Sequence, residues 1–197
     1  MRHFSLRCGQ PERGLSLVEL LIAMAIVSVV VGGVTRSFVN QRKITAIQHQ
    51  RVALIQQAQA AMDLVTRECR TAGTNPTGAA FVPVTYNASQ LEIRADLNGN
   101  GTTDTPNDPN EHLIYAYDSV NKRITRNAGS GAQSLVEHIQ AFTFNYLNSD
   151  GQTTTDPSAI RQLQLTITAR TAAADPTYQA NSGYRTFTMT SVIALRN

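Results

Sequence analysis

The sequence predicts an α+β fold in which one long N-terminal helix packs on an antiparallel sheet, and three observations carry this. Residues 15–34 form an apolar run interrupted by a single charge, Glu19. Apolar residues then recur at mostly three- or four-residue steps as far as Cys69, with no proline between Pro11 and Pro76. Beyond Gly78 the apolar period drops to two, and short alternating runs are separated by Asn, Asp, Gly and Pro clusters.

The chain has 197 residues, enough for one domain with a real core but too few for two full ones. At 42% hydrophobic and 16% charged, it has a globular rather than a disordered composition. The formal charge of +3 is unevenly placed. Arg2, Arg7 and Arg13 against Glu12 put most of it ahead of the apolar run, where it orients a membrane segment, so the basic balance is no argument for a nucleic-acid partner. Cys8 and Cys69 are the two cysteines, so removal of a leader leaves Cys69 alone and no intramolecular disulfide.

The apolar run, Leu15 to Val34, is twenty residues long. At about 1.5 Å per residue it reaches the roughly 30 Å of a hydrocarbon core. The arginines before it and Arg36 after it keep the N-terminus cytoplasmic and export the remainder. A secretory signal cut near Gly32 and Gly33 fits less well, because such h-regions run about 7 to 15 residues and the helical pattern continues beyond. One helix, with Gly32-Gly33 as the expected bend, is the simpler account.

Glu19 is the anomaly in this run. An acidic side chain at membrane depth costs on the order of 3 kcal/mol and calls for a cationic partner. If the chain is cut after Gly14, the new amino terminus at Leu15 lies four residues from Glu19, within helical reach or able to pair between staggered copies.

Gly14 followed by LSLVELLIA, with a basic leader before it, closely resembles the processing signal of type IV prepilins and type II secretion pseudopilins. The resemblance implies cleavage of Gly14–Leu15 by a membrane prepilin peptidase and methylation of the Leu15 amine. It also implies that Glu19 guides subunit docking by neutralising a neighbour's terminus. Leu15 stands where most members carry phenylalanine, and the helix lacks the proline kink of many major pilins.

The expected organisation is a cleaved leader at 1–14, a membrane or filament-core helix half at 15–35, an amphipathic half at 36–72 and an exported β domain at 73–197. Residues 44, 47, 54, 55, 58, 62, 65 and 69 form the apolar stripe of the second half, while Arg42, Lys43, Arg51, Arg67 and Arg70 face solvent or other subunits. Gly73, Asn75 and Pro76 end the helix. Strands are expected at 81–85, 90–94, 112–117, 123–126, 141–147, 161–169 and 185–195, and exposed loops at 152–157 and 171–183. The segments VEHIQAFTFNYLNSDG, RQLQLTITART and RTFTMTSVIALRN resemble the PilW-like minor pilins and, less closely, the J-type minor pseudopilins. This implies a type IV pilin-like fold and a structural role in initiation, priming or the tip of pilus assembly. The implied partners are prepilin peptidase, other major and minor pilins, the inner-membrane assembly platform and the inner membrane. The chain would sit in the inner membrane with its C-terminal domain periplasmic before assembly, and at the cell surface in a pilus afterwards. A membrane-anchored binding module that never polymerises is the alternative from another class.

Residues 96–111 hold a second candidate site. Asp96, Asn98, Asn100 and Asp104 place oxygen side chains at the first, third, fifth and ninth positions, Gly101 is sixth, and Thr102 at the seventh offers its carbonyl. This is the front of an EF-hand-type loop and points to Ca2+, which accepts several hard oxygens in flexible geometry. The twelfth position is Asn107 rather than glutamate, so Asp108 or Glu111 must supply the closing carboxylate. An Asx- and Gly-rich connection between strands is the plainer reading of the same residues.

Catalytic patterns are missing. His49, His112 and His138 have no metal-ligand spacing, and there is no nucleophile elbow or phosphate-binding glycine loop, so the chain reads as a non-enzyme. Cys69 reads as a small apolar helix residue, and Lys122, Arg123 and Arg126 as solvated hairpin cations rather than a DNA contact.

Overall fold

The computed structural model describes residues 16–103 and 108–196. The chain divides into two compact units, Met1–Ala46 and Ile47–Asn197. Helix α1 runs unbroken from Leu17 to Cys69, Gly32 and Gly33 included, as one continuous helix.

In the first unit the described chain is helix alone. Its large apolar side chains are all exposed, from Leu17 at 74% to Val34 at 64%. The helix is long and apolar enough to cross a membrane, with a mean hydropathy of 2.6 over its most apolar 18 residues. Two hydroxyls of its apolar stretch are satisfied internally: Ser28 Oγ donates to the Met24 carbonyl at 2.8 Å and Thr35 Oγ1 to that of Val31 at 2.8 Å. Such back-bonding removes the cost of placing a hydroxyl in an apolar medium.

In the second unit, α1 buries one face. Leu54, Ala58, Ala61, Met62, Val65 and Cys69 are buried at three- and four-residue spacing. Ile44 of the expected stripe is 57% exposed and falls in the first unit. Arg42, Lys43, Arg51, Arg67 and Arg70 are exposed, as expected. The helix ends three residues before the expected boundary. The amides of Thr71 and Ala72 turn back to the carbonyls of Glu68 and Cys69, and Gly73 takes a φ of 79°, a left-handed stop.

Among the described residues eight strands follow, all antiparallel: β1 (Val84–Thr85), β2 (Gln90–Arg94), β3 (His112–Asp118), β4 (Arg123–Asn127), β5 (Ala132–Val136), β6 (Ile139–Leu147), β7 (Gln162–Arg170) and β8 (Thr186–Ala194). They form two sheets rather than one, five strands in the order β1-β2-β3-β4-β5 and three in the order β6-β7-β8. The break falls at His138, whose φ of 59° turns the chain out of the first sheet. β5 was not expected, and β1 is shorter than the run 81–85.

Strand β7 alternates without exception, burying Leu163, Leu165, Ile167 and Ala169. On its other face Thr166 and Thr168 hydrogen-bond Thr190 and Thr188 of β8 at 3.0 and 2.9 Å. A single hydrophobic cluster joins the buried face of α1 to Leu91, Ile93, Leu113, Tyr115 and Ile124 of the first sheet and to Ile139, Phe142, Leu165 and Ile193 of the second. Residues 152–157 are mostly exposed, as expected. The segment 171–183 is more structured: Thr171 is 3% exposed, and the Asp175 carboxylate pairs with Arg185 at 2.8 Å.

Candidate functional site

Two places stand out. At the start of α1, Glu19 lies in the first helical turn, where the exposed amides and the helix dipole favour a carboxylate. It is exposed and ringed by exposed apolar neighbours, Val18, Leu20, Leu21 and Ile22. Among the described residues its carboxylate has no ion-pair partner. Gly14 and Leu15, the residues expected to be cleaved and to supply the partner amine, lie outside the described residues.

The second place is the connection between β2 and β3. Asp96 is fully buried and its carboxylate accepts three hydrogen bonds, from the amides of Gly99 at 2.6 Å and Gly101 at 3.0 Å and from Thr77 Oγ1 at 3.0 Å. Gly99 and Gly101 take φ values of 78° and 82°, left-handed conformations that let the chain wrap Asp96. Asn98 Oδ1 accepts the Asn100 amide and Asn100 Oδ1 the Thr102 amide, both at 2.8 Å. The Nδ2 groups of Asn98 and Asn100 and the Thr102 hydroxyl all donate to Asp108, at 2.6, 2.9 and 3.0 Å. Glu111, 3% exposed, accepts the amides of Leu97 and Asn98 through Oε1 at 2.7 and 2.8 Å. The structure thus brings Asp96, Asn98, Asn100, Thr102, Asp108 and Glu111 into one loop; Asp104 lies outside the described residues. No group of three His, Cys, Asp or Glu side chains suited to a metal occurs among the described residues, so amide and carbonyl oxygens would have to complete any cation shell.

Residues 10–35 match the prokaryotic N-terminal methylation motif. Residues 47–191, well over half of the chain, match the family described as prepilin peptidase-dependent protein B. The chain belongs to that family. It is therefore a member of the type IV pilin and pseudopilin superfamily, with Gly14, Leu15 and Glu19 inside the methylation motif and the β2–β3 loop inside the family region. Among solved structures it is similar to the type IV-like pilin TTHA1219 from Thermus thermophilus, at 14% identity and a TM-score of 0.45, covering 72% of this chain and 96% of that one. No curated protein matches the chain.

Within the family region the structure adds a polar junction that sequence reasoning missed. Glu68 of α1 accepts a hydrogen bond from the Tyr115 hydroxyl of β3, and Arg126 of β4 forks onto the same carboxylate at 3.0 and 2.8 Å. Arg126 also reaches Asn110 Oδ1 at 2.8 Å. Burial and the Glu68 charge push the Tyr115 hydroxyl well above the ordinary tyrosine range, so it stays a donor. The available signal was a carboxylate at position 68, between Val65 and Cys69 of the apolar stripe. Arg126 and Arg123 are engaged by Glu68 and Asp118, which occupies two of the three hairpin cations. Cys69 is fully buried, and burial pushes its thiol up to about 12, so it packs as a small apolar group and stays unreactive at neutral pH.

Proposed function

We propose that this protein is a non-enzymatic structural subunit, a PilW-like minor pilin processed at Gly14–Leu15 and taking part in initiation, priming or the tip of type IV pilus assembly. The observation that carries the reading is the first half of α1, an apolar helix exposed on every face with one carboxylate, Glu19, at its start. A helix apolar all round needs lipid or other helices as its surroundings. Before assembly the inner membrane supplies them, and in a filament the neighbouring subunits do. The methylation motif supports a processed Leu15 amine as the partner of Glu19, and prepilin peptidase, other pilins and the assembly platform are the implied partners.

The test is Glu19→Ala in the full chain. Membrane insertion and the melting of the β domain stay unchanged, while recovery in sheared filaments falls by at least about tenfold, because an unneutralised amine must enter an apolar core. Normal recovery of the variant refutes the docking role. Mass spectrometry of the mature protein decides between classes. A methylated Leu15 terminus supports the filament subunit, whereas retention of Gly14 favours a non-polymerising anchor. Co-purification with a secretion apparatus instead of pili assigns the protein to the minor pseudopilins.

A further inference from the structure

We propose that the β2–β3 loop is a Ca2+ site, with the carboxylates of Asp108 and Glu111, the side-chain oxygens of Asn98 and Asn100 and the carbonyl of Thr102 as its donors, while Asp96 holds the turn through its three hydrogen bonds. The deciding observation is Glu111. Its Oε1 takes two backbone amides, but its Oε2 is buried and has no hydrogen-bond partner among the described residues. A buried carboxylate oxygen left without a donor is costly, and an ion is one of the few groups that removes the cost. The turn itself does not need this oxygen, since Asp96 already satisfies the amides of Gly99 and Gly101 and Asn98 satisfies that of Asn100.

Charge points the same way. Three carboxylates, Asp96, Asp108 and Glu111, share this short stretch, and among the described residues none of them forms an ion pair. Only neutral donors, the Asn98 and Asn100 amides and the Thr102 hydroxyl, hold Asp108. A cation bound at Asp108 takes over the neutralising role of those donors and frees the Thr102 hydroxyl and the two amide groups to reorient towards it. The donor set is all oxygen, which disfavours zinc and copper. Several neutral oxygens on a glycine-containing loop suit the six to eight flexible ligands of Ca2+ better than the strict octahedron of Mg2+. The inference stands independently of whether the chain polymerises.

The experiment is calorimetric titration of the full-length protein in detergent with CaCl2 and, in parallel, MgCl2, together with melting in Ca2+ and in EGTA. The expected result is saturable Ca2+ binding, in the roughly 10⁻⁴–10⁻³ M range of extracellular modules or tighter, a higher Tm in Ca2+ than in EGTA, and Mg2+ weaker by at least about tenfold. Glu111→Gln removes the Ca2+-dependent shift. Asp108→Asn, at a partly exposed position that keeps the fold intact, weakens binding by about tenfold or more. No heat at millimolar Ca2+ with identical melting in Ca2+ and EGTA overturns the site. So does binding that survives both substitutions, and equal affinity for Mg2+ overturns the choice of ion.

Discussion

Between Leu17 and Val34 every large apolar side chain of α1 is more than half exposed, whereas between Leu54 and Cys69 the same helix buries six residues on one face. The backbone is continuous and the chemistry of the side chains similar; what differs is how the apolar residues are distributed around the axis. In the second half they occupy a stripe, which the chain's own sheets cover. In the first half they occupy the whole circumference, which no single packed face can cover. Helix formation is thus shared between the halves, while the chain's own sheets bury one of them and leave the other exposed.

Paired substitutions break this comparison most sharply. Val65→Asp, at a site with no solvent exposure, strands a charge in the core and costs more than about 4 kcal/mol, enough to abolish cooperative unfolding followed by circular dichroism. Val30→Asp, at a site 57% exposed, leaves the stability of the β domain within about 0.5 kcal/mol. Its cost of about 3 kcal/mol appears in membrane insertion instead. Equal effects of the two on domain stability would erase the distinction between the halves.

A smaller effect is expected at the junction of α1 with the first sheet. Glu68→Gln keeps the shape of the side chain but removes the charge that Arg126 and Tyr115 share, and costs about 2 kcal/mol, moderated by the partial exposure of the pair. Denaturant titration measures it. Arg36→Ala, in the first half, leaves the same transition where it is.

The smallest effect is an acid limb confined to the second unit. Neighbouring hydrogen bonds, first from Asn121 and from Thr177 respectively and then from other donors including Arg123 and Arg185, hold the Asp118 and Asp175 carboxyls down to about 2. Unfolded aspartate titrates near 3.9. The folded form therefore binds protons less readily. The stabilisation is complete above about pH 4 and disappears as the pH falls through about 2. Melting temperature against pH should drop in that window, and the double variant Asp118→Asn, Asp175→Asn should flatten the drop without altering the first unit's helix.

Legibility in the sequence followed the same physical division. Local periodicity showed α1 almost to its end, because a three- or four-residue stripe and an unbroken absence of proline need no tertiary information. It showed β7 for the same reason, since Leu163, Leu165 and Ile167 alternate strictly with polar residues. β5 was invisible because it buries only Val136 at its end and half-buries Leu135 beside it, so its pattern does not alternate. The division into two sheets was also hidden. It depends on the backbone conformation at His138 and on which strand edges meet, and neither is written in a period. At the loop, the spacing of Asp96, Asn98 and Asn100 named the residues that converge. Thr77 bonding to Asp96 from beyond the helix, and Glu111 returning to the amides of Leu97 and Asn98, arise only once the chain has folded back. The Glu68 junction belongs to this long-range class, with partners 47 and 58 residues away.

The chain leaving α1 is stitched to the end of β2 by two backbone hydrogen bonds, Gly73 to the Arg94 carbonyl at 3.0 Å and Asp96 to the Thr74 carbonyl at 2.8 Å. Tension on α1 that outlasts its side-chain packing would be borne by this stitch, which joins two covalently distant stretches and shortens the load path into the first sheet. An optical-trap experiment would then see the hairpins beyond β2 yield only after these bonds part, making residues 73–96 the mechanical fuse of the second unit.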